Sequence, residues 1–183
     1  MTRIIAGQWG GRQLRTPRGD STRPTSDRVR EALFSSVSAE LGGFEDLRVL
    51  DLFAGSGALG LEALSRGAEH ATLVEHDRRT ADVIRANAKD LGASATVRAM
   101  KVDVFLAGGE GPYDLVFADP PYAQAIEATL VALVPHLADD ALVIVERSSR
   151  TPFAWPDGYD ALRDKKYGET HVWQARASVG STS

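Results

Sequence analysis

The chain has 183 residues, 43% of them apolar and 25% charged, with a formal charge of −4. That is enough for one domain with a core, and too apolar for a disordered chain. No run approaches the roughly 18 apolar residues of a membrane span and no signal-peptide core opens the chain, so a soluble cytoplasmic protein is expected. With no cysteine, disulfides, thiolate metal sites, thiolate attack on a pyrimidine ring and His/Cys/Cys zinc deamination are excluded. His70, His76, His136 and His171 lack ligand spacing, so no metal is expected. A monomer is expected because no self-complementary apolar stripe is evident.

Charge is distributed unevenly along the chain. Residues 1–30 carry seven arginines against Asp20 and Asp27, a net +5 that leaves −9 on the remainder. A basic segment on an acidic body suggests a phosphate-binding arm. Within it, residues 3–6 and 12–15 can pair as a hairpin across Gly7 to Gly11, and Pro17 to Pro24 is loop chemistry. A helix is predicted to start at Thr25 or Ser26, both good N-caps. Its stripe is Val29, Leu33, Val37 and Leu41, and Gly42-Gly43 ends it.

From residue 48 the pattern alternates. Strands are predicted at 48–53, 71–75, 96–102, 114–118 and 141–145. Helices are predicted at 58–66, 78–91 and 125–137. Such alternation predicts βαβ units and a mostly parallel sheet covered on both faces. Segments 160–167 and 170–177 break the pattern, because only Gly168-Glu169 separates them. That is a hairpin signal. A parallel sheet closed by an antiparallel hairpin is the arrangement of S-adenosylmethionine (SAM)-dependent methyltransferases. The expected organisation is a basic extension over 1–24 (hairpin and loop), a catalytic domain over 25–178 with its leading helix, and a frayed tail over 179–183.

After the first core strand comes Asp51-Leu52-Phe53-Ala54-Gly55-Ser56-Gly57-Ala58-Leu59-Gly60. The glycine spacing, with Glu75 twenty residues past Gly55, also fits a nicotinamide dinucleotide site and leaves an oxidoreductase open. Asp51 argues against it, since a carboxylate near the turn repels a pyrophosphate. SAM has no phosphate and carries an ammonium and a sulfonium, which suit that carboxylate. Glu75 can accept ribose hydroxyls in either ligand. Asp103, expected to end the third strand, could bond an adenine amine.

Asp119-Pro120-Pro121-Tyr122 follows the fourth strand directly. Two prolines remove two backbone donors. What remains is carbonyl oxygen and the Asp119 carboxylate, a corner that can hold both hydrogens of a base amine. Tyr122 would stack on that base. No protein nucleophile is needed, because positioning alone can supply on the order of 7–11 kcal/mol.

These motifs resemble the class I amino-methyltransferases of the DPPY type. The run Arg3-Ile4-Ile5-Ala6-Gly7, followed by Arg23-Pro24-Thr25-Ser26-Asp27-Arg28-Val29-Arg30-Glu31-Ala32-Leu33-Phe34, is similar to the bacterial RsmD family. That family methylates N2 of one guanine in 16S ribosomal RNA. The resemblance implies a Rossmann-like α/β fold with a small N-terminal hairpin-plus-helix extension. It implies SAM contacts at Asp51, Phe53, Ala54, Gly55, Ser56, Gly57, Glu75, His76, Asp103 and Val104. The acceptor site would be Asp119, Pro120, Pro121 and Tyr122. Arg12, Arg15, Arg23, Arg28 and Arg30 would face RNA, with Lys165 and Lys166 clamping nearby phosphates. Several related enzymes carry asparagine in place of Asp119; a charged carboxylate is the stronger acceptor for a guanine amine. The target base must be single-stranded or flipped out, in an assembling or assembled small ribosomal subunit. An adenine-N6 DNA methyltransferase and a non-catalytic RNA-binding assembly factor remain alternatives.

Overall fold

The computed structural model describes residues 2–18, 26–121 and 124–178. At the N-terminus β1 (Thr2–Arg3) pairs antiparallel with β2 (Gln13–Leu14), Thr2 opposite Leu14. Helix α1 (Asp27–Leu41) follows, its N-cap Ser26 accepting from the Val29 N–H, and Gly42 ends it in the left-handed region at φ 74°. The predicted cap and stop both hold for the described residues; Thr25, the other predicted cap, lies outside them. The buried stripe is rotated from the expected one. It runs through Arg30, Leu33, Phe34 and Val37, because Phe34 wedges between Phe44 and Phe117, ring centroids 5.8 and 5.5 Å away.

The central sheet is built from β3 (Arg48–Leu52), β4 (His70–Glu75), β5 (Ala95–Ala99), β6 (Tyr113–Ala118), β7 (Leu137–Ser148), β8 (Tyr159–Tyr167) and β9 (Thr170–Ala177). Their spatial order is β5-β4-β3-β6-β7-β9-β8. The first five strands run parallel, and β9 inserts antiparallel between β7 and β8. The crossovers carry α2 (Ala58–Ser65), α3 (Arg78–Leu91), α4 (Val102–Leu106) and α5 (Glu127–Leu133). Chain order reverses between β3 and β6, the switch point where open α/β sheets bind ligands beyond the carboxyl ends of their strands.

Two cores sandwich this sheet. Leu33, Phe34 and Val37 of α1, Leu61 and Leu64 of α2 and Ile84 of α3 pack on one face. Val102 and Phe105 of α4, with Leu130 and Leu133 of α5, pack on the other. Val49 to Leu52 are therefore buried without alternation, as central parallel strands require. The N-terminal hairpin joins the first core through Ile4 (0% exposed) and Leu14 (2%).

The strand predicted at 141–145 runs from Leu137 to Ser148, and two further elements differ from the sequence expectation. The strand predicted through residue 102 stops at Ala99, and α4 follows. Val102, Phe105 and Leu106 recur at helical spacing and are all buried, so a helical face outcompetes an extension of the strand. The helix predicted to residue 137 ends at Leu133 in a 3-10 turn, Val134–His136, where Pro135 lacks a donor.

Candidate active site

The glycine turn leaves β3 through strained backbone. Phe53 sits at φ 58°, Gly55 at 58° and Gly57 at 84°. A non-glycine residue there costs about 1–2 kcal/mol, and such strain gathers at functional turns. The three glycines do different work. A Cβ on Gly57 would meet Ile84 Cγ2 at 3.0 Å and Leu73 Cδ2 at 3.2 Å, and one on Gly60 would meet Leu73 Cδ2 at 2.9 Å. These two let α2 lie close on the sheet. A Cβ on Gly55 would meet nothing within 4 Å, so Gly55 fronts open space where a ligand can approach the backbone.

Asp51 is turned inward rather than toward that space. It is 2% exposed, and its Oδ2 accepts the Gly60 N–H at 3.0 Å. Gly60 is in the first turn of α2, so the carboxylate takes a donor that a pyrophosphate would otherwise use. The argument against a dinucleotide is thereby strengthened. The expectation of Asp51 as a direct cation contact is corrected to that of a residue holding the turn. Burial, together with the charges of Asp119 and Glu75, pushes its carboxyl well above the ordinary range, against the lowering effect of the Gly60 N–H.

Glu75 ends β4 and ties the turn to it. One carboxylate oxygen accepts the Gly55 N–H at 3.2 Å and the other accepts the Asp77 N–H at 2.8 Å. His76 projects beside it with 65% of its side chain exposed. Asp103 does not end a strand. It occupies the first turn of α4, exposed, with Oδ1 accepting the Val104 N–H at 2.9 Å. Val104 itself is 58% exposed, an apolar surface beside a carboxylate at the strand-end edge of the sheet.

Asp119 follows β6 across the switch point. Its residue surface is exposed, yet protein packed around the carboxyl desolvates it and raises its pKa. A hydrogen bond with Glu146 and the charge of Arg147 oppose that rise. Glu146 was not anticipated. Ala118 pairs with Val145, so Asp119 and Glu146 are the next residues in register on neighbouring strands. Glu146 therefore stands as a hydrogen-bond partner of the Asp119 carboxyl. The rule that singled out strand-end acids on the earlier strands, applied to the fifth, would have found Glu146. Pro120 is buried and Pro121 exposed, and the Pro121 carbonyl accepts the Gln124 N–H at 3.0 Å, closing the turn. Tyr122 lies outside the described residues.

The predicted RNA-facing residues divide. Arg12, Arg15 and Arg28 are exposed; Arg12 donates to the Asp90 carbonyl at 3.3 Å and Arg15 pairs with the Asp90 carboxylate at 3.0 Å. Arg23 lies outside the described residues. Arg30 is a correction. It is 2% exposed, bonds Asp27 at 2.8 Å and stands 3.8 Å from Glu62, so its position on the core side of α1 withdraws it from any surface partner. Lys165 and Lys166 are exposed on the edge strand β8. Three inter-strand spacings separate β8 from β6, roughly 14 Å, so the lysines are apart from the acceptor corner.

Buried polar side chains dock the N-terminal segment, and nothing in the sequence marked them. Glu62 is 0% exposed and accepts the N–H groups of Ile5 (2.7 Å) and Ala6 (3.1 Å). Asn87, 3% exposed, accepts the Arg15 N–H at 2.9 Å and donates to the carbonyls of Arg15 (3.0 Å) and Ser56 (3.3 Å). The hairpin is thus bonded to the helices behind the glycine turn and, through Ser56, to the turn itself.

A seven-stranded sheet in this order, with acidic strand ends around a glycine turn and an Asp-Pro-Pro corner across the switch point, defines a class I SAM-dependent methyltransferase. The acidic oxygens and the open approach at Gly55 fit a cationic adenosyl cofactor. Residues 2–176 match the family described as conserved hypothetical protein 95, and the chain belongs to that family, the RsmD methyltransferases. Ribosomal RNA small subunit methyltransferase D of Escherichia coli (strain K12) is 46% identical over 148 residues, 79% of this chain and 73% of that protein. Its namesake from Haemophilus influenzae is 34% identical over 174 residues, covering 91% and 89%. A solved Escherichia coli structure, described as a candidate methyltransferase, yhhF, superposes with a TM-score of 0.85 at 39% identity over 98% of this chain and 99% of that one.

Proposed function

We propose that the protein transfers a methyl group from SAM to the exocyclic N2 of a guanine in 16S ribosomal RNA. One observation carries this reading: an acceptor-only corner, Asp119-Pro120-Pro121, stands directly across the switch point from a SAM-type glycine turn. Relatives named as small-subunit ribosomal RNA methyltransferases supply the substrate class. SAM supplies an electrophilic methyl on a positively charged sulfur. Phe53 to Gly57, with Glu75, His76, Asp103 and Val104 around them, would hold it, and Asp51 would fix the turn from behind. Asp119 and the Pro120 carbonyl would each take one amine hydrogen, freeing the nitrogen lone pair. That nitrogen would attack the methyl that SAM supplies, the carbon–sulfur bond breaking as the carbon–nitrogen bond forms, and the amine proton would pass to the ionised Asp119 carboxylate. Tyr122 would stack on the extruded base.

The basic extension over residues 1–24, with Arg12, Arg15, Arg23 and Arg28, would lie against RNA phosphates, and Lys165 and Lys166 would reach them further along the strand. The protein would work as a monomer in the cytoplasm, on an assembling or assembled small subunit. Among the described residues no helix is long and apolar enough to cross a membrane and no metal-holding cluster occurs.

The test uses labelled SAM and small subunits from cells lacking the enzyme, followed by mapping of modified nucleosides. Label in N2-methylguanine supports the assignment, and label elsewhere or none overturns it. Asp119→Ala should abolish transfer while S-adenosylhomocysteine still binds; equal loss of both would make Asp119 structural.

A further inference from the structure

The carboxyls at the strand ends share one side of the sheet. Val49, Leu73, Phe117 and Ile144 lie in the first core, and side chains alternate along a strand. Asp51, Glu75, Asp119 and Glu146, each two residues further on, therefore belong to that same side. The opposite side carries different chemistry. Val143 and Val145 lie in the second core, which sets Arg147 beyond them on that face. Arg147 stands opposite His171 on β9, and His171 stands opposite Lys166 on β8. Directly paired residues share a face, so Arg147, His171 and Lys166 stand abreast across three strands.

The pairs beside this row are Val145 with Trp173 and Trp173 with Asp164. The Asp164 carboxylate lies 2.6 Å from His171 Nε2, and the His171 ring stacks on Trp173, centroids 4.0 Å apart. Asp164 and His171 thus engage each other. Arg147 and Lys166, on either side of His171, have no side-chain hydrogen bond or ion pair among the described residues. Arg147 is 9% exposed and its Nε is buried without an acceptor, as is the Nε1 of Trp173. Lys166 is exposed. Lys165 pairs with Val172 of the first core, which turns it to the other face, where its Nζ lies 5.1 Å from the Tyr167 ring centroid.

Two strand spacings separate the Arg147 and Lys166 backbones, roughly 10 Å. Two long basic side chains can close on one small group from that separation. A buried donor without an acceptor is destabilising, and a neutral acceptor would leave both positive charges unmatched. A phosphate supplies the charge and several acceptor oxygens together.

We propose that Arg147 and Lys166 hold one backbone phosphate of the RNA strand that carries the target base. This rests on the RNA substrate assigned above. The C-terminal edge of the sheet is then divided by charge. Its acidic side takes the cationic cofactor and the amine, and its basic side takes the backbone. Lys165 is not part of this site.

The experiment measures binding of the full chain to small subunits from cells lacking the enzyme, over a range of salt concentrations. Arg147→Met and Lys166→Met should each reduce the slope of log K against log salt by about one. At moderate salt they should weaken binding on the order of tenfold and threefold respectively. Arg147→Lys keeps the charge and should keep the slope, and Lys165→Met should leave it unchanged. All four variants should retain S-adenosylhomocysteine binding. Arg147→Met should not lower Tm, because it removes a buried donor that has no acceptor. A lowered Tm with an unchanged slope would make Arg147 structural and overturn the proposal. Unchanged slopes in both methionine variants would overturn it too, as would an equal loss in Lys165→Met and Lys166→Met. If the native chain does not bind the particles at all, the RNA assignment itself fails.

Discussion

Gly55 and Gly57 sit two residues apart in the same turn and should fail differently when replaced. At Gly57 an added Cβ meets Ile84 and Leu73 at 3.0 and 3.2 Å on backbone already at φ 84°. Gly57→Ala should cost about 1–3 kcal/mol of stability, visible as a lowered Tm. At Gly55 nothing lies within 4 Å, so Gly55→Ala should cost only about 1 kcal/mol from the left-handed backbone. Its methyl would instead occupy the ligand's approach, and calorimetry should show weakened S-adenosylhomocysteine binding out of proportion to the stability loss. Asp119 gives a pH signature. Desolvation raises its pKa from 3.8, and it must be ionised to accept the amine hydrogens. The acid limb of kcat/KM should therefore lie above the ordinary carboxylate value, and the rate should fall as pH drops through that limb. A limb at or below 3.8 would contradict the role. At this scale the sequence was legible for Glu75 and Asp119, because their position at strand ends follows from the alternation of elements; it was misread for Asp103, which lies in the first turn of α4. It was illegible for Arg30. An arginine in a basic segment reads as a surface charge, and only the packing of α1 against Glu62 reveals that it is buried.

Helix α1 is held at both ends by charges from other elements. Near its C-terminal end Glu40 bonds Arg163 of β8 at 2.9 Å and Arg176 of β9 at 3.1 Å, and the two guanidiniums hold its carboxyl below the ordinary 4.5. A lowered folded value means that this contribution is complete above the unfolded pKa and is lost as pH falls through the folded one. Glu40→Gln should therefore cost about 1–2 kcal/mol at pH 7 and almost nothing once the pH has fallen below the lowered folded-state pKa. Thermal melts at the two pH values would show it; an equal deficit at both would refute the linkage. The N-terminal segment is held by an uncharged side chain as well as by Glu62. Asn87→Ala removes the three hydrogen bonds of a buried side chain to half-buried backbone groups and should cost about 1–3 kcal/mol. Amide exchange at Arg15 should accelerate. Element boundaries were readable where caps and stops are chemical, as at Ser26 and Gly42. They were misread at residues 100–106, where a segment as short as the five residues of α4 can serve a strand or a helix, and only the packing of Phe105 and Leu106 in the second core decides.

At the scale of the whole molecule, charge separates from fold. The segment over residues 1–30 holds a net +5 while the rest holds −9. Long-range repulsion from the body and attraction through the segment should make RNA binding steeply dependent on salt. Replacing exposed Arg12 and Arg28 together should reduce the slope of log K against log salt by about two, leaving cofactor affinity intact. An unchanged slope would place the RNA elsewhere. Removing residues 1–17 should do more than weaken RNA binding, because Ile4 and Leu14 are part of the core. Loss of two buried large aliphatic side chains predicts at least about 3–5 kcal/mol and a lower Tm in the absence of any RNA.

What the residues dictated without any three-dimensional information was the alternating sheet, the closing hairpin, the glycine turn and the Asp-Pro-Pro run after the fourth strand. Each is written in local chemistry: periodicity, glycine where backbone must turn, proline where donors must vanish. What only the assembled molecule decided was which way side chains face. Asp51 points inward to Gly60, Arg30 sinks beneath α1, Asn87 bonds a loop 72 residues away, and Glu146 comes beside Asp119. Burial and partnership between distant residues depend on how elements stack, and no local pattern encodes that.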